Sequence, residues 1–158
     1  MKTTDFINLD ATSSSKTVAG LQQLLADFQV FYTNLRGFHW NIKGKDFFVL
    51  HKEFENMYND IAEKVDEVAE RIVTLGGVPT NKFSDYLKIA SLSEVDHVSN
   101  GSKALNNILD SLGYFIALER SVLDTASEGK DEVTVSILTD YLKGQEKLVW
   151  MLTAYAAE

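Results

Sequence analysis

Cysteine is absent from this chain. Disulfides and thiolate metal ligands are therefore excluded, and a reducing compartment, the cytoplasm, is the expected setting. Proline is nearly as scarce: Pro79 stands alone, so almost the whole chain is free to be helical, because proline breaks helix interiors. No stretch approaches the roughly 20 consecutive apolar residues that span a bilayer, and the opening M-K-T-T-D-F-I-N-L-D lacks the apolar run of a signal peptide. Positive charge is also in short supply. Fifteen Lys and Arg stand against 23 Asp and Glu, a net charge of −8, which argues against phosphate-backbone binding by the body of the protein and suits attraction of cations.

What is present fits one globular domain: 158 residues, 45% hydrophobic and 24% charged. Residues 1–16 read as a short polar lead, and 17–158 as a single helical unit. From Val18 the apolar residues recur through Leu21, Leu25, Phe28, Tyr32, Leu35, His39 and Ile42, the alternating spacing of an amphipathic helix. Lys43-Gly44 predicts its end, and Asp46 is a candidate N-cap for a second helix. That helix carries the seam Leu50, Phe54, Met57, Ile61, Val65, Val68, Ile72 and Leu75 before Gly76-Gly77-Val78-Pro79 breaks it. The connection Thr80–Ser93 holds Phe83, Tyr86, Leu87 and Ile89, enough for a short helix lying across a bundle. A third long helix is predicted from Leu92-Ser93, with Glu94 in its first turn, to about Ser127, and a fourth from Asp131 to Tyr155 after the break at Gly129. The fold class is all-α: a four-helix bundle with a crossover and a short extra helix between helices two and three.

On a helical wheel of the second helix, advancing about 100° per residue, the core seam fills one arc. Lys52, Glu63, Asn56, Glu67, Asp60, Arg71 and Lys64 fill a solvated arc. His51, Glu55, Asp66 and Glu70 share a third face with Phe48, Ala62, Ala69 and Val73. Small and apolar residues there imply packing against a second chain, since the bundle has already used the seam. His51 and Glu55 lie one turn apart, as do Asp66 and Glu70. Glu55 and Asp66 are separated by about 16 Å of helix rise, so one helix cannot close both pairs on one ion. Two antiparallel copies about a two-fold axis can, with His39 nearby as a fifth donor and two equivalent sites per pair.

Imidazole and carboxylate without thiolate suit iron, manganese or zinc, and open positions favour redox iron. The spacing alone leaves the plainer alternative standing, of acids on a solvated helix and a hydrogen-bonded core histidine at 39. Glu94 and His97 match the Glu-x-x-His spacing of in-bundle di-iron sites, which need that motif on two helices; here it occurs once. Met57 and Met151 read as core rather than haem ligands, and no haem is expected.

The stretch F-H-W-N-I-K-G-K-D-F-F-V-L-H-K-E-F-E-N-M-Y, followed by V-D-E-V-A-E-R-I-V-T-L-G-G, resembles the Dps family, and L-V-W-M-L near the C-terminus extends the likeness. These are the mini-ferritins, or DNA-binding proteins from starved cells, of the ferritin-like superfamily. The resemblance implies a dodecameric hollow shell of ferritin-like bundles. It further implies inter-subunit ferroxidase centres that each take a pair of irons and oxidise Fe(II), with hydrogen peroxide preferred over oxygen, before Fe(III) is mineralised inside. It groups His39, Asp66 and Glu70 on one subunit and His51 and Glu55 on its partner, with glutamate at 55 where the family often has aspartate. Trp40 matches a tryptophan beside the centre that takes up oxidising equivalents. Glu128, Asp131 and Glu132 become candidate pore acids, although Ser136 stands where the family carries a further one. The alternative function, nucleoid DNA condensation with secondary metal binding, needs a basic tail. The lead offers only Lys2 and Lys16 against Asp5 and Asp10, and the chain ends Ala156-Ala157-Glu158, so DNA binding is not expected.

Overall fold

The computed structural model describes residues 3–157, and so Lys2 of the polar lead and Glu158 lie outside the described residues. Among those described there is no strand. After a single 3₁₀ turn at Thr3–Asp5, five α-helices follow: α1 (Ala11–Asn41), α2 (Phe47–Thr74), α3 (Phe83–Ile89), α4 (Gly101–Glu128) and α5 (Glu132–Ala156). The four long helices form the bundle, and α3 is the short helix expected in the middle connection. No helix among the described residues is long and apolar enough to cross a membrane.

α1 begins upstream of the first seam residue, Val18. Asp10 caps it, accepting the Ser13 N–H at 2.8 Å, and its first turns bury Ser14 and Thr17 rather than aliphatic side chains. A hydrophobic repeat cannot register such positions. α1 packs against α2, α4 and α3, and it therefore buries Leu24, Asp27, Phe31 and Asn34 as well as its predicted seam. Gly44 (φ +109°) and Gly76 (φ +84°) hold left-handed turns after α1 and α2, where a side chain would be strained. Asp46 occupies the N-cap position of α2 without donating or accepting a side-chain capping bond.

The predicted start of the third long helix is wrong. Residues 92–100 are not helical, because side chains of α1 hold that backbone instead. Asp27 accepts the Ser91 and Leu92 N–H groups at 2.7 and 2.8 Å. Asn34 donates to Ser93 O and accepts from Val95 N, both at 3.0 Å. The helix starts only after Asn100, whose side chain accepts the Lys103 N–H at 2.9 Å. Glu94 and His97 are consequently exposed residues of a non-helical segment, and the Glu-x-x-His spacing loses its meaning.

Phe28, Phe31, Phe38, Phe54 and Phe115 are the largest side chains sealed in the core, with Phe28 and Phe115 centroids 4.8 Å apart. Met57 belongs to this core, but Met151 does not: it is 48% exposed beside Trp150. Arg71 is a second correction. Expected on the solvated arc of α2, it lies at the edge of that arc nearest the seam and is buried. Its guanidinium donates to Asp131 at 2.5 Å and to Thr134 Oγ1 at 2.9 Å. Asp131 also caps α5 through the Thr134 N–H at 3.0 Å, so one carboxylate ties the end of α2 to the start of α5. Further along, Tyr141 donates to Glu67 at 2.6 Å, and α2 meets α5 largely through such long side chains.

Candidate metal centre

The short turn between α1 and α2 lays the two helices' ends together and brings His39 beside His51. Their rings stack with centroids 3.7 Å apart and planes 19° from parallel. Each Nδ1 donates to the other residue's backbone carbonyl, His39 to His51 O at 2.7 Å and His51 to His39 O at 2.8 Å. A carbonyl oxygen can only accept, so both protons of the neutral rings sit on Nδ1 and both Nε2 atoms keep a lone pair. This is the orientation that a metal-ligating histidine needs, fixed here by backbone rather than by a carboxylate. Phe47 stacks on His51 at 4.9 Å and Tyr58 meets His39 edge-on at 5.4 Å, holding the rings in place.

Glu55 lies one turn after His51 and is 35% exposed by its side chain, with Lys52 Nζ at 2.9 Å. The Lys52 ammonium, through that hydrogen bond and its charge, holds the Glu55 carboxyl below the usual carboxylate range. Glu55 is therefore ionised and ready to accept a cation, with Lys52 as a mobile stand-in on the surface.

Asp66 and Glu70 form a second group, exposed on the same helix, about 16 Å of rise further along. On the same face, beyond the two groups at either end, Phe48 is 83% and Val73 53% exposed. Among the described residues no three His, Asp or Glu side chains converge in a way that could hold a metal ion. The predicted ligands of one chain thus fall into two separate groups. The structure places His39 beside His51 rather than near Asp66 and Glu70 of the same chain. Within one chain, then, His39, His51 and Glu55 lie at one end of this face and Asp66 and Glu70 at the other.

Trp40 follows His39 and is 62% exposed, with the Arg36 guanidinium 4.6 Å above its ring. Of the candidate pore acids, Glu128 and Glu132 are exposed, but Asp131 is buried and paired with Arg71. Asp131 is a structural residue and lines no pore. Sequence reasoning passed over the buried polar residues Asp27, Asn34, Glu119 and Gln145. The signal was available: Glu119 falls in step with Phe115 and Val122 on the α4 seam, and Asp27 with Leu24 and Phe31.

Comparison with known proteins now bears on this arrangement. A family model for the ferritin-like domain matches residues 18–158. The chain is 50% identical over 141 residues to the DNA protection during starvation protein of Porphyromonas gingivalis, covering 89% of each. The chain belongs to the Dps family of ferritin-like proteins. Among solved Dps structures, one from Vibrio cholerae O1 superposes with a TM-score of 0.94 at 45% identity, covering 96% of both chains. That protein is described as a member of a superfamily of ferritin-like diiron-carboxylate proteins. A Dps protein from Bacillus brevis matches with a TM-score of 0.90 at 29% identity, over 94% of this chain and all of that one. The Dps fold read from the central motifs is thus the fold observed, down to the short helix between the second and third long helices.

Proposed function

We propose that this Dps-family protein is an iron-detoxifying ferroxidase and iron-storage cage whose active unit is a pair of chains. In this reading His39, His51 and Glu55 of one copy face Asp66 and Glu70 of a second, antiparallel copy. Each two-fold interface then carries two equivalent centres, and the pairs build a dodecameric shell. The observation that carries the proposal is the reciprocal hydrogen bonding of His39 and His51, which leaves two Nε2 lone pairs beside an ionised Glu55.

Fe(II) is the substrate. The imidazoles supply neutral donors and the three carboxylates supply negative charge, a set that favours Fe(III) over Fe(II) and so drives the oxidation. Glu55 leaves Lys52 to meet the incoming ion. With a pair of irons held together, each gives up one electron. Hydrogen peroxide accepts both electrons and two protons and leaves as water, so no hydroxyl radical is released. Trp40, stacked under Arg36, stands next in the chain to His39 and would take up a stray oxidising equivalent. The relatives' names speak of DNA protection; here that protection follows from removing iron and peroxide together, not from DNA binding, for which the net charge of −8 is unsuited.

Anaerobic titration of the assembled protein with Fe(II), followed by peroxide, tests the reading. Saturation at an iron pair per chain and rapid oxidation without radical adducts to a spin trap are expected. No saturable Fe(II) binding before peroxide is added would rule the reading out.

A further inference from the structure

Glu119 sits midway along α4 with no exposed surface, and its hydrogen bonding does not balance in the ionised form. Gln145 of α5, 3% exposed, donates Nε2–H to Glu119 Oε1 at 2.6 Å. The second oxygen of each group, Glu119 Oε2 and Gln145 Oε1, is buried without a partner. Both are acceptors when Glu119 is a carboxylate, so neither can serve the other. Buried oxygens left unpaired in this way are destabilising, the more so when charged.

We propose that Glu119 is a buried proton-binding site: it holds a proton on Oε2 at neutral pH, donates it to Gln145 Oε1, and closes an acid–amide ring that locks α4 to α5. A single proton would satisfy both orphan oxygens in a cyclic acid–amide pair, in which the amide N–H syn to the carbonyl donates to one carboxyl oxygen and the amide oxygen accepts from the other. The surroundings agree. α1 brings Phe28, which packs on Phe115 and Tyr141. α2 brings Asp60 and Lys64, whose charges act on Glu119 in opposite senses and which are ion-paired to each other. α5 brings Tyr141, whose hydroxyl is committed to Glu67. Lys64, the cation that acts on Glu119, is thus already paired, and among the described residues no other is recorded acting on it. Burial pushes the Glu119 carboxyl up to about 8, against the opposing effects of the Gln145 hydrogen bond and Lys64.

The site also borders a crevice. Gln145 lines a crevice of about 250 Å³ between α2 and α5, with Asp60, Lys64 and Asn56 along its polar side and Phe31, Met57 and Leu148 along its apolar side. The direction of the pH effect follows from linkage. An unfolded chain loses this proton near 4.5 and the folded chain near 8. Below the lower value both states hold it and the ring's stabilisation is fully present. As pH rises towards 8 that stabilisation is lost, and above 8 the bundle carries an unbalanced charge.

E119Q tests the assignment, because an amide donates from Nε2 where the acid donates from Oε2 and so rebuilds the same ring without a titrating proton. In the assembled protein, thermal midpoints should fall for the wild type from pH 5 towards pH 8 and level off by pH 9.5, and E119Q should lose that fall, standing at least level with the wild type at pH 6. Infrared difference spectra across the same range should show the carbonyl stretch of a protonated carboxyl in the wild type at pH 6, absent from E119Q. Equal pH dependence in the two proteins, no protonated-carboxyl band, or an E119Q protein markedly less stable than wild type at pH 6 would each overturn the proposal, the last by indicating an ionised Glu119 served by a bound cation.

Discussion

His51→Ala is expected to slow peroxide-driven Fe(II) oxidation by at least about 100-fold, and Asp66→Ala to do the same, although the two residues lie at opposite ends of the exposed face of α2. Loss of a residue that merely orients a ligand costs on the order of 10–100-fold in metal affinity or activity, and these variants remove ligands themselves. His51→Ala does more than delete one Nε2. The His51 ring is stacked on His39 at 3.7 Å, so its loss frees the second imidazole to turn. The His39 Nδ1 bond to the His51 carbonyl survives the substitution, and the fold should too, since His51 is only half-buried. Asp66→Ala touches an exposed carboxylate and should leave stability within about 0.5 kcal/mol. Stopped-flow oxidation of anaerobically loaded protein, with circular dichroism as the folding control, measures both. An unchanged rate in either variant would remove that residue from the centre.

The largest expected effect on stability is at Arg71. Arg71→Ala should destabilise the bundle by about 3–5 kcal/mol, the usual result of removing one partner of a buried ion pair. The guanidinium and Asp131 are 9% and 5% exposed by their side chains. Without Arg71, Asp131 would keep only the Thr134 N–H and hydroxyl. It would still cap α5 but as a buried, uncompensated charge. Asp131→Asn in the Arg71→Ala background should recover part of the loss, because it removes that charge while keeping an acceptor for the cap. Midpoints compared at one protein concentration would show this, the assembly being coupled to folding. A loss below about 1 kcal/mol would mean that the pair is solvated and the link from α2 to α5 is weak.

The fold was legible because its helices repeat at period 3.6 and its breaks are marked by Gly44, Gly76-Gly77-Pro79 and Gly129. The late start of α4 was not, since residues 92–100 carry no helix-breaking residue. What keeps them out of a helix is Asp27 and Asn34, distant in sequence and on another element. Arg71 misled for a related reason. An arginine at the edge of a polar arc looks solvated until the partner that buries it, Asp131, is placed. At the candidate centre, spacing alone separated Glu55 from Asp66 and required two chains. It could not assign His39 to either end, because that depends on how the turn from α1 to α2 closes. The stacking of His39 on His51 is what motivates the grouping proposed above.

Mixed assemblies test the central claim, a centre divided between two chains, most directly. His51→Ala and Asp66→Ala chains, each inactive alone, would be dissociated, mixed in equal amounts and reassembled. If the sets are divided as described, each mixed interface pairs the intact His39–His51–Glu55 end of the Asp66→Ala chain with the intact Asp66–Glu70 end of the His51→Ala chain. The second centre of that interface carries both defects. Half of randomly formed interfaces are mixed and half their centres are whole, so about a quarter of the wild-type oxidation capacity should return. A mixture as inactive as its components would contradict the account, because a centre built within one chain cannot be rescued by another.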